Sequence, residues 1–389
     1  MSIHDLQSAA GAEFIQFGPP PAEGGAELAE SFGRAPAEYA AIRQRVGIMH
    51  LPQRAILRLT GSDRQDFLHR MMTQDINALT GGQTTRSFQL NDKGRIVADA
   101  VVHHGDADTW LEIDRLDLPD LHKLLEARLF TEDVTFEDFS VQREAIALHG
   151  PAAIKLAQAL HEAGTNPGDI PAGQHHVLTL AGASLTAYRH DDAGAPCLRL
   201  LVDAGRAADL YQALLDAAGY DPRGDAEPDQ QYAEKRRETL RGRPIGWLAY
   251  NTARIEAGTP LFHVDFGPDS LPPETGVQDE AVSFTKGCYI GQEILARIQN
   301  LGHPRRVLVG LRFEDDNLPV AGTQILPADG NPSQVVGGIT SSTLSPLRGG
   351  KAIAFAVVKW GQHKPGTEVT TFAEGQPTRA TIQGLGFIS

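Results

Sequence analysis

Between residues 55 and 220 the sequence runs through one structural grammar twice, and that repetition limits the fold more than any other feature. Residues 55–60 alternate as a strand does, and Gly61-Ser62-Asp63 opens a helix whose Phe67, Leu68, Met71 and Met72 recur at helical intervals. Ser62 and Gln65 have the spacing of a capping box. Residues 84–90 and 95–102 read as two strands joined by Asn91-Asp92-Lys93-Gly94, a hairpin turn with glycine last. Residues 110–113 add a strand, Leu118, Leu121, Leu125 and Leu129 mark a helix, and Val134-Thr135-Phe136 close the unit. The second round begins with a strand at 145–148 and a helix started by Pro151 that carries Ile154, Ala157 and Leu160. Strands near 176–180, 183–189 and 197–203 follow, then a helix with Leu210, Leu214 and Leu215 that stops at Gly219, a natural left-handed cap. Strand–helix–strands–helix in both halves predicts an α+β protein with two ferredoxin-like units. The repeat is one of architecture; the residues themselves do not repeat.

The flanks are different in kind. Residues 1–35 open with a short helix and continue into Gly18-Pro19-Pro20-Pro21-Ala22-Glu23-Gly24-Gly25, an irregular loop. Pro36 starts a helix over 36–43, and Gly47 is expected to end it. The polar, breaker-rich run 224–229 reads as a boundary or exposed connection, and the charged run 234–237 as a solvated helix face, which argues against Lys235 as a Schiff-base lysine. From Arg305 onward short strands separated by Gly, Pro, Asn and Asp, beginning with 306–313, predict a small all-β domain, a barrel or a sandwich. The 389 residues suit two or three domains. The expected division is 1–140 with 240–300, then 141–239, then 305–389.

Composition removes several function classes. Lys and Arg number 35 against 49 Asp and Glu, a net charge of −14, so no strong nucleic-acid footprint is expected. Two cysteines, Cys197 and Cys288, cannot build a disulfide framework, and a reducing cytoplasmic location fits them. No secretory leader pattern and no apolar run of membrane-spanning length is seen. His103-His104 and His175-His176 invite a metal reading, but neighbours on a strand point to opposite faces and no Cys/His spacing supports zinc, so no metal site is expected.

Three stretches look chemical: the hairpin Asn91 to Asp99, the run Asn251 to Pro260 continuing to Gly276, and Ser283-Phe284-Thr285-Lys286-Gly287-Cys288-Tyr289-Ile290-Gly291-Gln292-Glu293. In the last, glycines bracket Cys288 and a helix-compatible segment follows, a setting that favours thiolate over thiol.

Taken together these stretches resemble the folate-binding superfamily of the glycine-cleavage T-protein (aminomethyltransferase). The run 283–293 is similar to the signature of its YgfZ branch. The resemblance covers most of the chain, including Glu38, Tyr39 and Arg43, the stretch 59–68, and Arg254-Ile255-Glu256-Ala257-Gly258. It implies two ferredoxin-like units and a small C-terminal β-barrel around a central channel for tetrahydrofolate, with Cys288 facing the channel mouth. For function it implies a tetrahydrofolate-binding accessory protein that assists maturation or repair of iron–sulfur enzymes, tRNA-modifying ones among them, with Cys288 as the working thiol. The alternative is a tetrahydrofolate-dependent aminomethyltransferase, and a third reading is a binding module that has lost folate.

Two departures bear on that choice. The family's acidic pair after the hairpin reads Ala98-Asp99 here, and the run 192–199 holds no glutamate where the family meets the pterin ring. Asp99 therefore either holds the pterin and N5 region or is a strand-edge charge. Arg254 either grips a folate carboxylate bidentately or pairs with Glu256 or another acid. Lys286 is the candidate to lower the Cys288 pKa, unless it is simply solvated. Tyr289 packs beside a ligand or in the core, while Gln292 and Glu293 are cofactor-binding candidates that equally suit a helix start. Glu256 and Glu274 read as structural.

Overall fold

Two sheets built on one plan carry the body of the protein, in a computed structural model that describes residues 1–221 and 240–388 and, of Leu301, the backbone alone. The chain starts with α1 (Ile3–Ala9), the hairpin β1 (Glu13–Phe17) and β2 (Ala26–Ser31), α2 (Ala35–Gln44) and β3 (Gly47–His50). The first unit is β4 (Arg54–Thr60), α3 (Arg64–Met71), β5 (Gln83–Leu90), β6 (Ile96–His104), β7 (Thr109–Asp114), α4 (Leu118–Glu126) and β8 (Thr135–Asp138), with sheet order β5-β6-β7-β4-β8. The second is β9 (Arg143–His149), α5 (Ala153–Ala159), β10 (His161–Gly164), β11 (His175–Leu180), β12 (Ala183–Arg189), β13 (Cys197–Asp203) and α6 (Ala204–Ala218). Its sheet also takes in β3 and β14 (Arg243–Pro244), in the order β10-β11-β12-β13-β9-β3-β14. In each unit the first strand lies beside the last strand of the meander: Arg54 pairs with Asp114 and Arg143 with Asp203.

Strand alternation sorts the cores. Ala98, Ala100 and Val102 of β6 point toward α3 and α4, whereas Val101 points the other way, into a cluster shared with Met49, Ala145, Ala147 and Tyr188 between the sheets. Ile146 and Leu148 turn to the second helical layer under α5 and α6. After β14 come α7 (Trp247–Ala257), α8 (Gln278–Ala281) and α9 (Gln292–Leu301). The C-terminal part is a closed barrel of β15 (Arg306–Phe313), β18 (Lys351–Lys359), β17 (Gly337–Ser345), β16 (Gln324–Pro327), β19 (Glu368–Ala373) and β20 (Gln376–Gln383), settling the choice between barrel and sandwich. Among the described residues no helix is long and apolar enough to cross a membrane.

Several local expectations need correction. Gly47 opens β3 rather than ending α2, which stops at Gln44, and β3 pairs with β9 of the second sheet. The stretch before α2 holds a hairpin as well as the Gly/Pro loop. No capping box forms at α3: Ser62 Oγ donates to Asp133 at 3.0 Å, and Gln65 Nε2 reaches forward to Ile76 O and Leu79 O. Tertiary partners outcompete the local cap there. The runs 224–229 and 234–237 lie outside the described residues.

Candidate functional site

A cavity of about 400 Å³ lies where the non-helical faces of the two sheets meet α7. Its walls come from distant parts of the chain: Arg54 of β4, Arg86 of β5, Asp99 and Val101 of β6, Arg199 of β13 and Tyr250 of α7. The loop from Gly258 to Val264 and the segment holding Val277 and Glu280 close the remaining side. No barrel residue lines it, so among the described residues the cavity lies between the α+β units, and the barrel stands behind α7.

The charged groups of this cavity are organised in two clusters. In one, Arg86 grips Asp99 with both arms, Nη2 to Oδ2 at 2.6 Å and Nε to Oδ1 at 3.0 Å, and reaches Glu280 at 3.2 Å. In the other, the fully buried Glu112 accepts from Arg54 Nε and Arg199 Nη1, each at 3.0 Å, and from the Tyr188 hydroxyl at 2.5 Å. Burial alone would raise the Glu112 pKa, but hydrogen bonding and the two guanidiniums hold it well below the usual carboxylate range. Arg199 continues to Asp192 Oδ2 at 2.9 Å, which also accepts from the Tyr250 hydroxyl at 2.8 Å. Here too burial opposes the charge, and Arg199 with two imidazoles overcomes it, leaving Asp192 at about 2.

Position 98 has a different meaning in three dimensions. Ala98 is buried in the helical-side core, so only Asp99 of that neighbouring pair faces the cavity. A carboxylate at 98 would stand in apolar surroundings, and its absence removes nothing from the cavity wall. The missing half of the pair therefore tells less against transferase chemistry than the sequence suggests.

The cysteine segment is placed elsewhere. Lys286 Nζ donates to His69 O at 2.5 Å, Met72 O at 2.6 Å and Gln74 O at 2.9 Å, and Ile290 N donates to Arg70 O. These bonds satisfy carbonyls at the C-terminal end of α3 that have no helical partner. The Lys286 protons are thus committed to backbone oxygens, and burial pulls its pKa down to about 8 while Asp75 opposes. Between these two anchors Cys288 is exposed, four residues before α9, and it is not among the residues that line the cavity. Gly291 caps α9 at φ +80° and packs against Asn91 O and Gly94 of the β5–β6 turn, where a side chain would collide.

The other sequence candidates divide the same way. Arg254 is fully buried, paired with Asp265 and bonded to Asn251 Oδ1 and Thr259 O, and does not line the cavity; its partner is an acid other than Glu256. Glu256 instead binds Arg43, Tyr39 and Ser345. Tyr289 packs beside Phe88 and Phe262, Gln292 Oε1 accepts from Tyr289 N, and Glu293 is exposed at the start of α9. Of the seven candidates Asp99 alone reaches the cavity. Arg54, Arg86, Asp192, Arg199 and Tyr250 of the cavity wall, and Glu112 behind it, are among the charged and polar groups that were not sequence candidates.

One cavity wall is held by a titratable strap. His263, at φ +64° and flanked by cavity residues Phe262 and Val264, meets Asp117 at 2.6 Å. Burial lowers the His263 pKa, but Asp117 outweighs it and the net shift is upward. A histidine raised in the folded state contributes stability that is fully present below its unfolded pKa and lost as pH rises through the folded one. Asp117→Asn is expected to lower the His263 imidazole pKa in an NMR titration and to flatten the stability loss seen as pH rises through it. An unchanged titration would mean the strap is not an ion pair in solution.

Residues 3–225 match the family described as "GCVT N-terminal domain", and residues 306–388 the "Glycine cleavage T-protein C-terminal barrel domain". An aminomethyltransferase of Cutibacterium acnes is 30% identical over 363 residues, spanning 90% of this chain and 89% of that protein. An aminomethyltransferase of Staphylococcus carnosus is 24% identical over 381 residues, 98% of this chain and 95% of the other. The crystal structure of glycine cleavage system aminomethyltransferase T from Bartonella henselae superposes with a TM-score of 0.83 at 22% identity, covering 100% of this chain and 97% of that one. At that identity the likeness is one of fold.

Proposed function

The chain belongs to the glycine-cleavage T-protein family, and from that premise we propose that the cavity between its two sheets binds a tetrahydrofolate. One observation carries the reading: the cavity sets carboxylates and guanidiniums into otherwise apolar walls such as Trp247, Leu261 and Phe262. That donor set fits a flat ring with an amide-like donor edge joined to a carboxylate tail. Asp99 is the acceptor for the donor edge, and Arg54, Arg86 and Arg199, each already paired with a carboxylate of the protein, are the cations a bound tail would share. Gln53 and Arg199, both lining the cavity, also carry buried polar atoms without a protein partner.

Anaerobic titration of the full-length protein with tetrahydrofolate tests this. Saturable binding is expected, and Asp99→Ala should weaken it about ten- to a hundredfold, the worth of one charged hydrogen bond. Absence of saturation would remove the reading.

For what bound folate does, the relatives' names lend more support to aminomethyl transfer than to an accessory role. Of the family's acidic pair the cavity keeps Asp99, although Arg86 occupies both its oxygens. A different observation favours the accessory reading toward iron–sulfur enzymes: Cys288 is the exposed thiol of the chain, on a segment stapled at both ends to α3. Two assays separate them. Turnover of an aminomethyl donor at ordinary enzymatic rates supports transfer. Under the accessory reading Cys288→Ala fails to restore methylthiolated tRNA in cells lacking the native protein while keeping tetrahydrofolate affinity, and full restoration by that variant would sink it.

A further inference from the structure

His149 and Cys197 stand directly opposite each other on β9 and β13, and Asp192 in the β12–β13 turn lies beside them. All three are buried, and one ligand atom of each lies within 4.8 Å of the other two. His149 Nδ1 and Asp192 Oδ1 face each other at 3.6 Å, and neither has a hydrogen-bond partner. Two orphaned polar atoms from side chains 1% and 6% exposed, aimed at one point beside a thiol, are costly unless something joins them.

We propose that His149, Asp192 and Cys197 form a binding site for a divalent metal ion of the zinc class, at the edge of the cavity. Zinc bonds of 2.0–2.3 Å at tetrahedral angles place ligand atoms about 3.3–3.8 Å apart, a range that holds the 3.6 Å between His149 and Asp192, with Cys197 Sγ inside 4.8 Å of both. The mixed nitrogen, oxygen and sulfur donors suit such an ion better than magnesium or calcium. The ion's two positive charges would meet the Asp192 carboxylate and the Cys197 thiolate, the thiol proton passing to solvent, and Arg199 keeps its contact with Glu112, which Arg54 shares. The other oxygen of Asp192 is fixed by Arg199 and Tyr250, which orients Oδ1 toward the site as an outer-shell partner would. Asp192 and Tyr250 also line the cavity, which puts the three residues beside it, and three protein ligands leave one position of a tetrahedral ion for water. The site stands independently of what the cavity binds.

The test uses full-length Cys288→Ser protein, in which Cys197 is the remaining thiol. Stripped of metal, kept reduced and titrated with cobalt(II), it should take up one equivalent with a near-ultraviolet thiolate-to-cobalt band and tetrahedral visible bands, displaced by one equivalent of zinc. His149→Gln and Asp192→Asn in that background should lose the visible bands. No thiolate band in the folded Cys288→Ser protein overturns the proposal and leaves a plain imidazole–carboxylate contact. Unchanged bands in both ligand variants overturn it as well. Should those variants fail to fold, the cobalt titration of the Cys288→Ser protein decides alone.

Discussion

Arg254→Ala is expected to lower the unfolding free energy by about 3–5 kcal/mol in urea denaturation, with the tetrahydrofolate affinity of the folded fraction unchanged. The side chain is fully buried and lies over the Phe355 ring of the barrel, its centroid 5.5 Å away. Its partner Asp265 accepts from Thr340 at 3.0 Å and Ser341 at 2.5 Å, both in β17. One ion pair therefore ties α7 to the barrel, and truncating the arginine leaves a carboxylate buried without its counter-ion. Arg254→Lys should recover little, because a single ammonium cannot reach Asp265, Asn251 and Thr259 together. Folate affinity falling tenfold or more with stability intact would reinstate Arg254 as a ligand residue and overturn this placement.

The elements of the two units were legible because each buries a stripe or a face of its own. Strands 183–189 and 197–203 and the helix ending at Gly219 follow from alternation, leucine spacing and a glycine cap, and the structure puts them there. The site was legible in one residue. Arg86 shows why. With Asn91 and Gly94 closing the turn and Leu90 opposite Ile96, uninterrupted pairing would put Arg86 opposite Ala100, on the core face. A bulge at Val97 shifts the register by one, so Arg86 stands opposite Val101 and shares the face of Asp99. Nothing in the composition of that hairpin announces the extra residue. His149 and Cys197 are likewise 48 positions apart and meet through strand pairing alone. The residues around Cys288 read as catalytic because glycine, lysine and cysteine cluster in sequence; in the structure the lysine donates to carbonyls at the end of α3 and in the turn after it.

Glu112→Ala should produce the other large loss, again about 3–5 kcal/mol, out of a total stability that for a folded domain is commonly 5–15 kcal/mol. Glu112 is a fully buried carboxylate held by Arg54, Arg199 and Tyr188, with His103 Nε2 at 3.4 Å. Removing it leaves two guanidiniums competing for Asp192 and for whatever occupies the cavity, and leaves the Tyr188 hydroxyl buried without an acceptor. The loss should therefore appear twice, in the denaturation midpoint and in a weaker, less specific tetrahydrofolate titration, since Arg54 and Arg199 both line the cavity. Glu112→Gln keeps the volume but turns amide hydrogens toward donors, so it should recover only part of the stability. A pair of midpoints within about 1 kcal/mol of the wild type would mean that water reaches these groups and shares their charge. The organisation of the cavity would then have to be set by the Arg86–Asp99 pair alone.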